Sequence, residues 1–329
     1  MHLSAGNVGE YLAGVGLWAP GAPLAVRELG GGVSNTVLLV EDEERRWVVK
    51  QSLEKLRVRD DWRSERSRIF SEAEALQALG PALGRAAVPQ VVHVDRENYL
   101  FVMSAAPPGA AMWKEALLEG QVDLGVARQA GRLLALLIGC SRRDPLFQTT
   151  FADRTVFDQL RLDPYYRTTA ARHPDLGPIF DKLIEDSGRV RTAIVHGDYS
   201  PKNLLVKDGE IFLIDFEVVH WGDPAFDAAF LLNHLFLKAF HQPSFGPLYF
   251  AAAREFWREL SDGTRGEALT NLESMTVRHL GALMLARIDG KSPVEYIREE
   301  RTKERVRQFA RRLLLAPPEA VAEAIELYR

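Results

Sequence analysis

Residues 196–203 read HGDYSPKN, and residues 214–217 read IDFE. Two apolar segments lie between these stretches, on either side of the sequence Lys-Asp-Gly-Glu at 207–210. An Asp-Gly pair supplies the positive φ angles that a two-residue hairpin turn requires, so this run predicts a β-hairpin. The hairpin would turn the chain back on itself and bring Asp215 near Asp198.

Asp198, Asn203 and Asp215 are residue types that suit phosphoryl transfer. That reaction needs a positioned nucleophile and metal ions between phosphate oxygens, and little covalent help. A loop carboxylate such as Asp198 can accept the proton of a hydroxyl. The amide oxygen of Asn203 and the carboxylate of Asp215 are hard ligands for magnesium. In the alternative interpretation Asp198 and Asn203 only cap turns, which explains neither their spacing nor the hairpin.

The pattern H-G-D-x-x-x-x-N followed by I-D-F-E resembles the aminoglycoside phosphotransferase, choline kinase and methylthioribose kinase superfamily, relatives of the protein kinases. The resemblance covers most of residues 25–235. It implies Asp198 as the catalytic base, Asn203 and Asp215 as metal ligands, and His196 as a support of the loop. It also implies ATP and Mg²⁺ as cofactors, without deciding between ATP and GTP.

The implied fold is α+β and protein-kinase-like, with two lobes. A nucleotide-binding lobe of antiparallel sheet plus a helix is expected over 1–105, and a mainly helical, catalytic and substrate-binding lobe over 106–329. Hydrophobic periodicity predicts strands and helices at defined places. The predicted strands are 33–40, 46–51 and 99–103, and the predicted helices are 8–18, 68–79, 122–140, 225–240, 249–260, 266–288, 301–314 and 318–328.

Lys50 ends the apolar strand around Trp47, and a charge is rarely placed there unless it is paired. The resemblance implies that Lys50 contacts ATP phosphates and pairs with a helix glutamate. Glu72 is the expected partner, because it shares a helical face with Ile69 and Leu76. Glu74 shares that face less well.

Four more positions are expected to bind the nucleotide. Gly31 and Ser34 belong to the run LGGGVSN at 29–35. The run alone is also typical of a plain turn, but its position just before the hairpin of Lys50 favours a loop that covers phosphates with backbone N–H groups. The segment at 104–106 resembles the hinge of aminoglycoside phosphotransferases. That resemblance implies hydrogen bonds from the adenine edge to the Ser104 carbonyl and the Ala106 N–H.

The second lobe holds two further features. Asp227, in the segment GDPAFD, is implied to brace the loop at 196–203 from the start of a helix. Candidate acceptor-site residues carry arginines, which suits a neutral or anionic acceptor better than a polycationic one, although surface residues of a helical lobe would show the same pattern. These candidates are Arg161, Tyr165, Tyr166, Arg167, Arg172 and the segment 287–291.

Composition limits the possible partners. The chain has 329 residues and one cysteine, Cys140, which cannot form an internal disulfide. Its net charge of −4 provides no global basic field that would favour binding to nucleic acid or a membrane. The first residues do not resemble a signal peptide, and no apolar run reaches the length of a membrane span. We expect a cytoplasmic protein whose partner is a small hydroxylated molecule, sugar-like or an amino alcohol. The oligomeric state stays open.

Two other classes compete with a small-molecule kinase. A pseudokinase would bind nucleotide without turnover, but Lys50, Asp198, Asn203 and Asp215 are all present. A protein kinase would carry D-F-G where this chain has D-F-E, and a recognisable A-P-E segment is absent from the sequence.

Overall fold

The structure is a computed structural model that describes residues 1–30, 34–53, 64–267 and 269–328. The described chain divides into two compact units, Met1–Pro108 and Gly109–Arg329. The first unit is built on an antiparallel sheet and the second is mainly helical, which confirms the α+β class.

The first unit packs helices on both faces of a five-stranded sheet. Its strands follow the order β1-β2-β3-β5-β4, and all neighbours are antiparallel. One face, which includes Val49 and Val102, packs with the N-terminal helix in a core with Leu12 and Trp18. The elements are α1 (Val8–Gly14), β1 (Ala25–Glu28), β2 (Asn35–Glu41), β3 (Arg46–Ser52), α2 (Arg68–Leu83), β4 (Val91–Asp95) and β5 (Leu100–Ser104).

The opposite face of β3 positions Lys50. Side chains alternate along a strand, so Lys50 lies on the face away from Val49. Lys50 is paired in register with Val37 on β2 and Phe101 on β5, in the middle of the sheet. Helix α2 contacts both β3 and β5.

The second unit begins with a short strand and ends with a helical array. Its β6, β8 and β9 form one small sheet, and β7 and β10 form another. The elements up to β7 are β6 (Ala111–Met112), α3 (Trp113–Leu118), α4 (Leu124–Arg143), α5 (Leu146–Thr150), α6 (Thr155–Phe157), a π-helix (Asp158–Arg167), α7 (Thr168–Arg172), α8 (Gly177–Arg189) and β7 (Ala193–Val195). The rest are β8 (Leu204–Lys207), β9 (Glu210–Leu213), β10 (His220–Gly222), α9 (Ala225–His241), α10 (Gly246–Gly263), α11 (Leu272–Asp289), α12 (Glu300–Leu315) and α13 (Val321–Glu326).

Helix α9 is the centre of this unit. Every residue from Ala225 to Phe240 is buried, and α9 packs against α10, α11 and α12. A helix that is buried all round is normally apolar all round. Helix α9 nevertheless carries Asn233, His234 and Lys238, and these three residues bear on function below.

Several predicted boundaries differ from the structure. The first helix ends at Gly14 rather than at 18, and the helix expected from 266 begins at Leu272, after Asn271 in a left-handed conformation with φ of 62°. The π-helix was not predicted. It contains Pro164, which has no N–H to donate, and the segment takes the wider π pattern there. In the described part of the chain, no helix is both long and apolar enough to cross a membrane.

Candidate active site

The predicted hairpin is present and sets the spacing of the site. Strands β8 and β9 pair in register, and the turn residues Asp208 and Gly209 have φ of 52° and 82°. Both angles are positive, as a type I′ turn requires. At the base of the hairpin the Ile214 N–H donates to the Asn203 carbonyl at 3.0 Å. Asp215 therefore leaves the hairpin directly beside the end of the loop at 196–203.

Asp227 braces the start of this loop. One carboxylate oxygen accepts the His196 N–H at 2.6 Å, and the other accepts the Gly197 N–H at 2.8 Å. Burial raises the pKa of Asp227 to about 7, while the two backbone donors act in the opposite direction. The contact that the family resemblance implies for Asp227 is thus present.

His196 supports the loop as a neutral ring. Its Nε2 lies 3.1 Å from the Ile214 carbonyl, and its Nδ1 lies 3.2 Å from the backbone nitrogen of Asp198. Burial lowers the pKa of His196 to about 4, so the ring is uncharged at neutral pH. A neutral ring donates from Nε2 and accepts at Nδ1, which matches both neighbours and links the loop to the end of β9.

The carboxylate of Asp198 lies between two cations. Its Oδ2 is 3.2 Å from an Arg161 guanidinium nitrogen and 3.5 Å from the Lys202 Nζ. Burial by itself would raise the pKa of the Asp198 carboxyl, but the charges of Lys202 and Arg161 outweigh it and hold that pKa well below its usual range. Asp198 is therefore ionised at neutral pH. Its side chain keeps 13% of its surface exposed, enough for a ligand to reach the carboxylate.

Arg161 fixes the loop from the π-helix. Its Nε donates to the Gly197 carbonyl at 2.5 Å, and the guanidinium lies 5.6 Å from the centre of the Phe230 ring on α9. The sequence predicted Arg161 as a lining residue of the acceptor site. The structure places it against the backbone of the loop and against Asp198.

Asn203 and Asp215 fit a magnesium site of the kind that uses few protein ligands. The Asn203 Nδ2 donates to the Asp198 carbonyl at 3.0 Å, so the amide oxygen is the atom that can face a cation. Asp215 adopts φ of 73°, an uncommon left-handed conformation that aspartate tolerates. Mg²⁺ usually combines one or two protein oxygens with phosphates and water. The described residues contain no cluster of three or more His, Cys, Asp or Glu side chains that could hold a metal ion.

The predicted ion pair of the first unit is also present. The Lys50 Nζ lies 2.6 Å from a Glu72 carboxylate oxygen, and only 5% and 1% of the two side chains are exposed. Glu72 lies on the buried face of α2 with Ile69, as the helical spacing predicts. Glu74 instead makes an exposed ion pair with Arg96.

The expected nucleotide contacts of the first unit are less fully described. Gly31 lies outside the described residues. Ser34 is buried, and its carbonyl accepts from the buried Arg68 guanidinium at 2.6 Å. The Ser104 hydroxyl accepts the Gln90 N–H at 2.8 Å, and the Ala106 carbonyl accepts from Arg46 at 3.0 Å. Their contacts with adenine stay predictions.

The candidate acceptor residues separate into two groups. Tyr165 lies beside the loop, and its hydroxyl accepts from Arg287 at 3.1 Å. Tyr166 is a core residue, with its hydroxyl 2.7 Å from a buried His279 nitrogen. Three others lie at the surface: Arg167 pairs with Asp158, Lys291 pairs with Asp163, and Arg172 donates to the carbonyls of Asp289 and Gly290.

Three buried polar residues of α9 escaped the sequence analysis: Asn233, His234 and Lys238. A sequence signal exists for the last of them. Lys238 is the only charge in the otherwise apolar run at 235–240, LFLKAF. A lysine is almost never fully buried unless it is paired, so its place in an apolar run is unusual.

The chain is similar in sequence to known proteins of one family. The model of the family described as "Phosphotransferase enzyme family" matches residues 25–265. Methylthioribose kinase of Escherichia coli (strain S88) is 28% identical over 246 residues, which cover 66% of this chain and 58% of that one. Methylthioribose kinase 2 of Oryza sativa is 27% identical over 251 residues, again covering 58% of its length. The chain thus spans less than two thirds of these relatives.

Two solved structures share the fold. An amicoumacin kinase in complex with AMP-PNP, Ca²⁺ and its ligand aligns with a TM-score of 0.56 and 15% identity, over 90% of each chain. The GDP complex of an aminoglycoside 2′-phosphotransferase variant aligns with a TM-score of 0.55 and 16% identity, over 99% of this chain and 96% of that one. The fold is therefore the protein-kinase-like one expected from the sequence.

Proposed function

Because the chain belongs to the phosphotransferase enzyme family, we propose that it transfers the γ-phosphate of ATP to a hydroxyl group of a small molecule, in a magnesium-dependent reaction. The default acceptor is sugar-like or an amino alcohol. Asp198 is the catalytic base of this reaction. Asn203 and Asp215 hold the metal ion, and Lys50, positioned by Glu72, contacts the ATP phosphates.

The way Asp198 is held carries the proposal. Its loop is tied to Asp227 at the start, to the hairpin at the end, and to Arg161 in between. A carboxylate fixed in this way can orient a hydroxyl group for in-line attack at little further loss of entropy. Turn capping alone would not require an ionised carboxylate between Arg161 and Lys202.

The ionised state of Asp198 is consistent with its proposed part in the reaction. A carboxylate is a weak base towards a ground-state alcohol. It is a good hydrogen-bond acceptor, and it takes the proton late, as the attacking oxygen loses basicity in a loose transition state. When bound, magnesium would supply charge neutralisation between the phosphate oxygens.

Lys50 and Glu72 support the nucleotide role of the first unit. A buried ammonium on the middle strand of a sheet needs a counter-charge, and Glu72 supplies it at 2.6 Å. The pair fixes the position of the Lys50 Nζ. An ammonium fixed in this way is a suitable contact for a phosphate group.

An ADP-release assay tests the proposal. Wild-type protein with ATP and Mg²⁺ is screened against methylthioribose, choline, aminoglycosides and other small alcohols and sugars. We expect one acceptor class to raise ADP release well above the rate without acceptor, and EDTA to abolish the increase. ADP release that no acceptor stimulates would contradict the proposal, as would stimulation that survives EDTA.

A further inference from the structure

A buried cation lies one helical turn beyond His234 on α9. Lys238 is fully buried, and its Nζ has no hydrogen-bond partner within the described ranges. The Nζ lies 5.3 Å from the centre of the Tyr296 ring, a cation–π distance. Both amide atoms of the buried Asn233 likewise lack partners in the described part of the chain. Polar groups buried in this state are costly for a fold, so they call for an explanation.

Two more cations act on Lys238 through their charges, and one of them pairs with Glu295, the neighbour of Tyr296 in the sequence. Arg287 on α11 donates to the Tyr165 hydroxyl and to the Ser292 hydroxyl, at 3.1 and 2.9 Å. Lys114 on α3 is ion-paired with Glu295, which is 60% exposed. Burial, reinforced by the charges of Lys114 and Arg287, lowers the pKa of Lys238 to about 7. One half-exposed carboxylate thus faces three cations.

The cluster is continuous with the loop at 196–203. Phe230, His234 and Lys238 are spaced by four residues and therefore share one face of α9. The first of them contacts the Arg161 guanidinium that binds Asp198, and its ring is 5.6 Å from that of His234. Burial is the largest of the effects that lower the pKa of His234. The charges of Lys238 and Arg287 lower this pKa further, and the charge of Asp198 raises it.

Lys114 joins the cluster to the same loop from another direction. Its backbone N–H donates to the Pro201 carbonyl at 2.9 Å. Two paths therefore lead from the loop that carries Asp198 to the cations: one through Lys114, and one along the face of α9 that holds Phe230, His234 and Lys238. Lys238 lies two helical turns, about 12 Å, beyond Phe230, so a ligand with one end at Asp198 reaches the cations with its other end if it spans about that distance.

We propose that Lys238, Arg287 and Lys114 bind an anionic group of the acceptor, a carboxylate or a phosphate. The inference rests on the proposed function for the hydroxyl end of the acceptor, which lies at Asp198. It narrows the acceptor to a small hydroxylated anion and excludes polycationic amino sugars, which would meet three like charges.

Three matched probes test this inference without nucleotide. Binding of glycerol, glycerate and glycerol 3-phosphate is measured by ligand-observed NMR at constant ionic strength. We expect both anions to bind and glycerol to bind at least tenfold more weakly. The tighter of the two anions identifies the group as a carboxylate or a phosphate. Equal binding of all three probes would overturn the inference.

Two variants assign the anion contact. Lys238→Met keeps the length and removes the charge, and we expect it to weaken anion binding at least tenfold. Lys182→Met is the control, because Lys182 is 59% exposed on α8 and pairs with Asp186. Arg287→Gln is a second test if Lys238→Met does not fold. Unchanged anion binding in a folded cluster variant would overturn the assignment.

The two proposals fail in different ways. If the anions do not bind but a neutral acceptor stimulates ADP release, the anion site is wrong and the kinase proposal stands. If the anions bind through Lys238 but nothing stimulates ADP release, the kinase proposal is wrong and the anion site stands.

Discussion

Replacing Gly197 with alanine should destabilise the second unit and displace the loop that carries Asp198. Gly197 has φ of +78°, a left-handed conformation that an L side chain adopts at a cost of about 1–2 kcal/mol. A Cβ at this position would lie 2.8 Å from both the Val218 carbonyl oxygen and the Val218 Cγ1. Because one of these atoms is backbone, a rotamer change cannot relieve the contact.

The expected loss of stability is the sum of the backbone strain and the steric contact with Val218. Overpacking a rigid site costs roughly 1–3 kcal/mol, so the expected loss of unfolding free energy is about 2–5 kcal/mol. Gly209→Ala is the matched control, since Gly209 has φ of +82° but nothing within 4 Å of an added Cβ. The control therefore carries only the conformational strain of about 1–2 kcal/mol.

Differential scanning calorimetry compares the two variants. In a unit of roughly 200 residues, 1 kcal/mol lowers the Tm by about 2–4 °C, so we expect a decrease of about 10 °C for Gly197→Ala and about 4 °C for Gly209→Ala. Gly197→Ala should also lose turnover, because the Gly197 N–H and carbonyl hold the loop to Asp227 and Arg161. Equal Tm values for the two variants would refute the reasoning.

Three further predictions concern the proposed ligands. Asp215→Ala should abolish magnesium-dependent turnover in a folded protein, and an unchanged Mg²⁺ titration would contradict its role as a ligand. Lys50→Met should weaken ATP binding about 10–100-fold, the effect of losing a charge-assisted hydrogen bond to phosphate; calorimetry checks this, and wild-type affinity would contradict it. Glycerate affinity should fall roughly tenfold between pH 6 and pH 8, because an anion favours protonated Lys238, whose pKa is about 7, and deprotonation removes that charge as the pH rises. The same titration should be flat in Lys238→Met, and a wild-type pH dependence in that variant would assign the effect to another neighbour. The charged and titratable groups around Lys238 are Lys114, His234, His241, Arg287, Glu295 and Tyr296.

Part of this fold could be predicted from the sequence because it depends on residues that are close together in the chain. The Asp208-Gly209 pair predicts its hairpin because a type I′ turn depends on those two residues alone. Glu72 could be assigned to Lys50 because helical spacing fixes which residues share a face. The motif at 196–203 needed a family resemblance as well, since spacing alone does not assign roles.

Tertiary packing determined what the sequence did not reveal. The surroundings of Lys238 include the Tyr296 ring and the charges of Lys114 and Arg287, which lie far from it in the sequence. The π-helix at Asp158–Arg167 contains Pro164, which breaks the ordinary helical pattern, so the position of Arg161 against the loop was not predictable. The start of α11 at Leu272 depends on the left-handed Asn271, which hydrophobic periodicity does not reveal.

Steady-state turnover of Asp198→Asn with saturating ATP, Mg²⁺ and the acceptor found in the ADP-release screen tests the central claim most directly. Asparagine keeps the shape and caps turns about as well as aspartate, but it lacks the charge. If Asp198 is the catalytic base, turnover should fall by roughly 10²–10⁴-fold. ATP affinity measured by calorimetry should stay near that of the wild type, because Lys50, Asn203 and Asp215 are unchanged. Near-normal turnover in a folded Asp198→Asn protein would contradict the account.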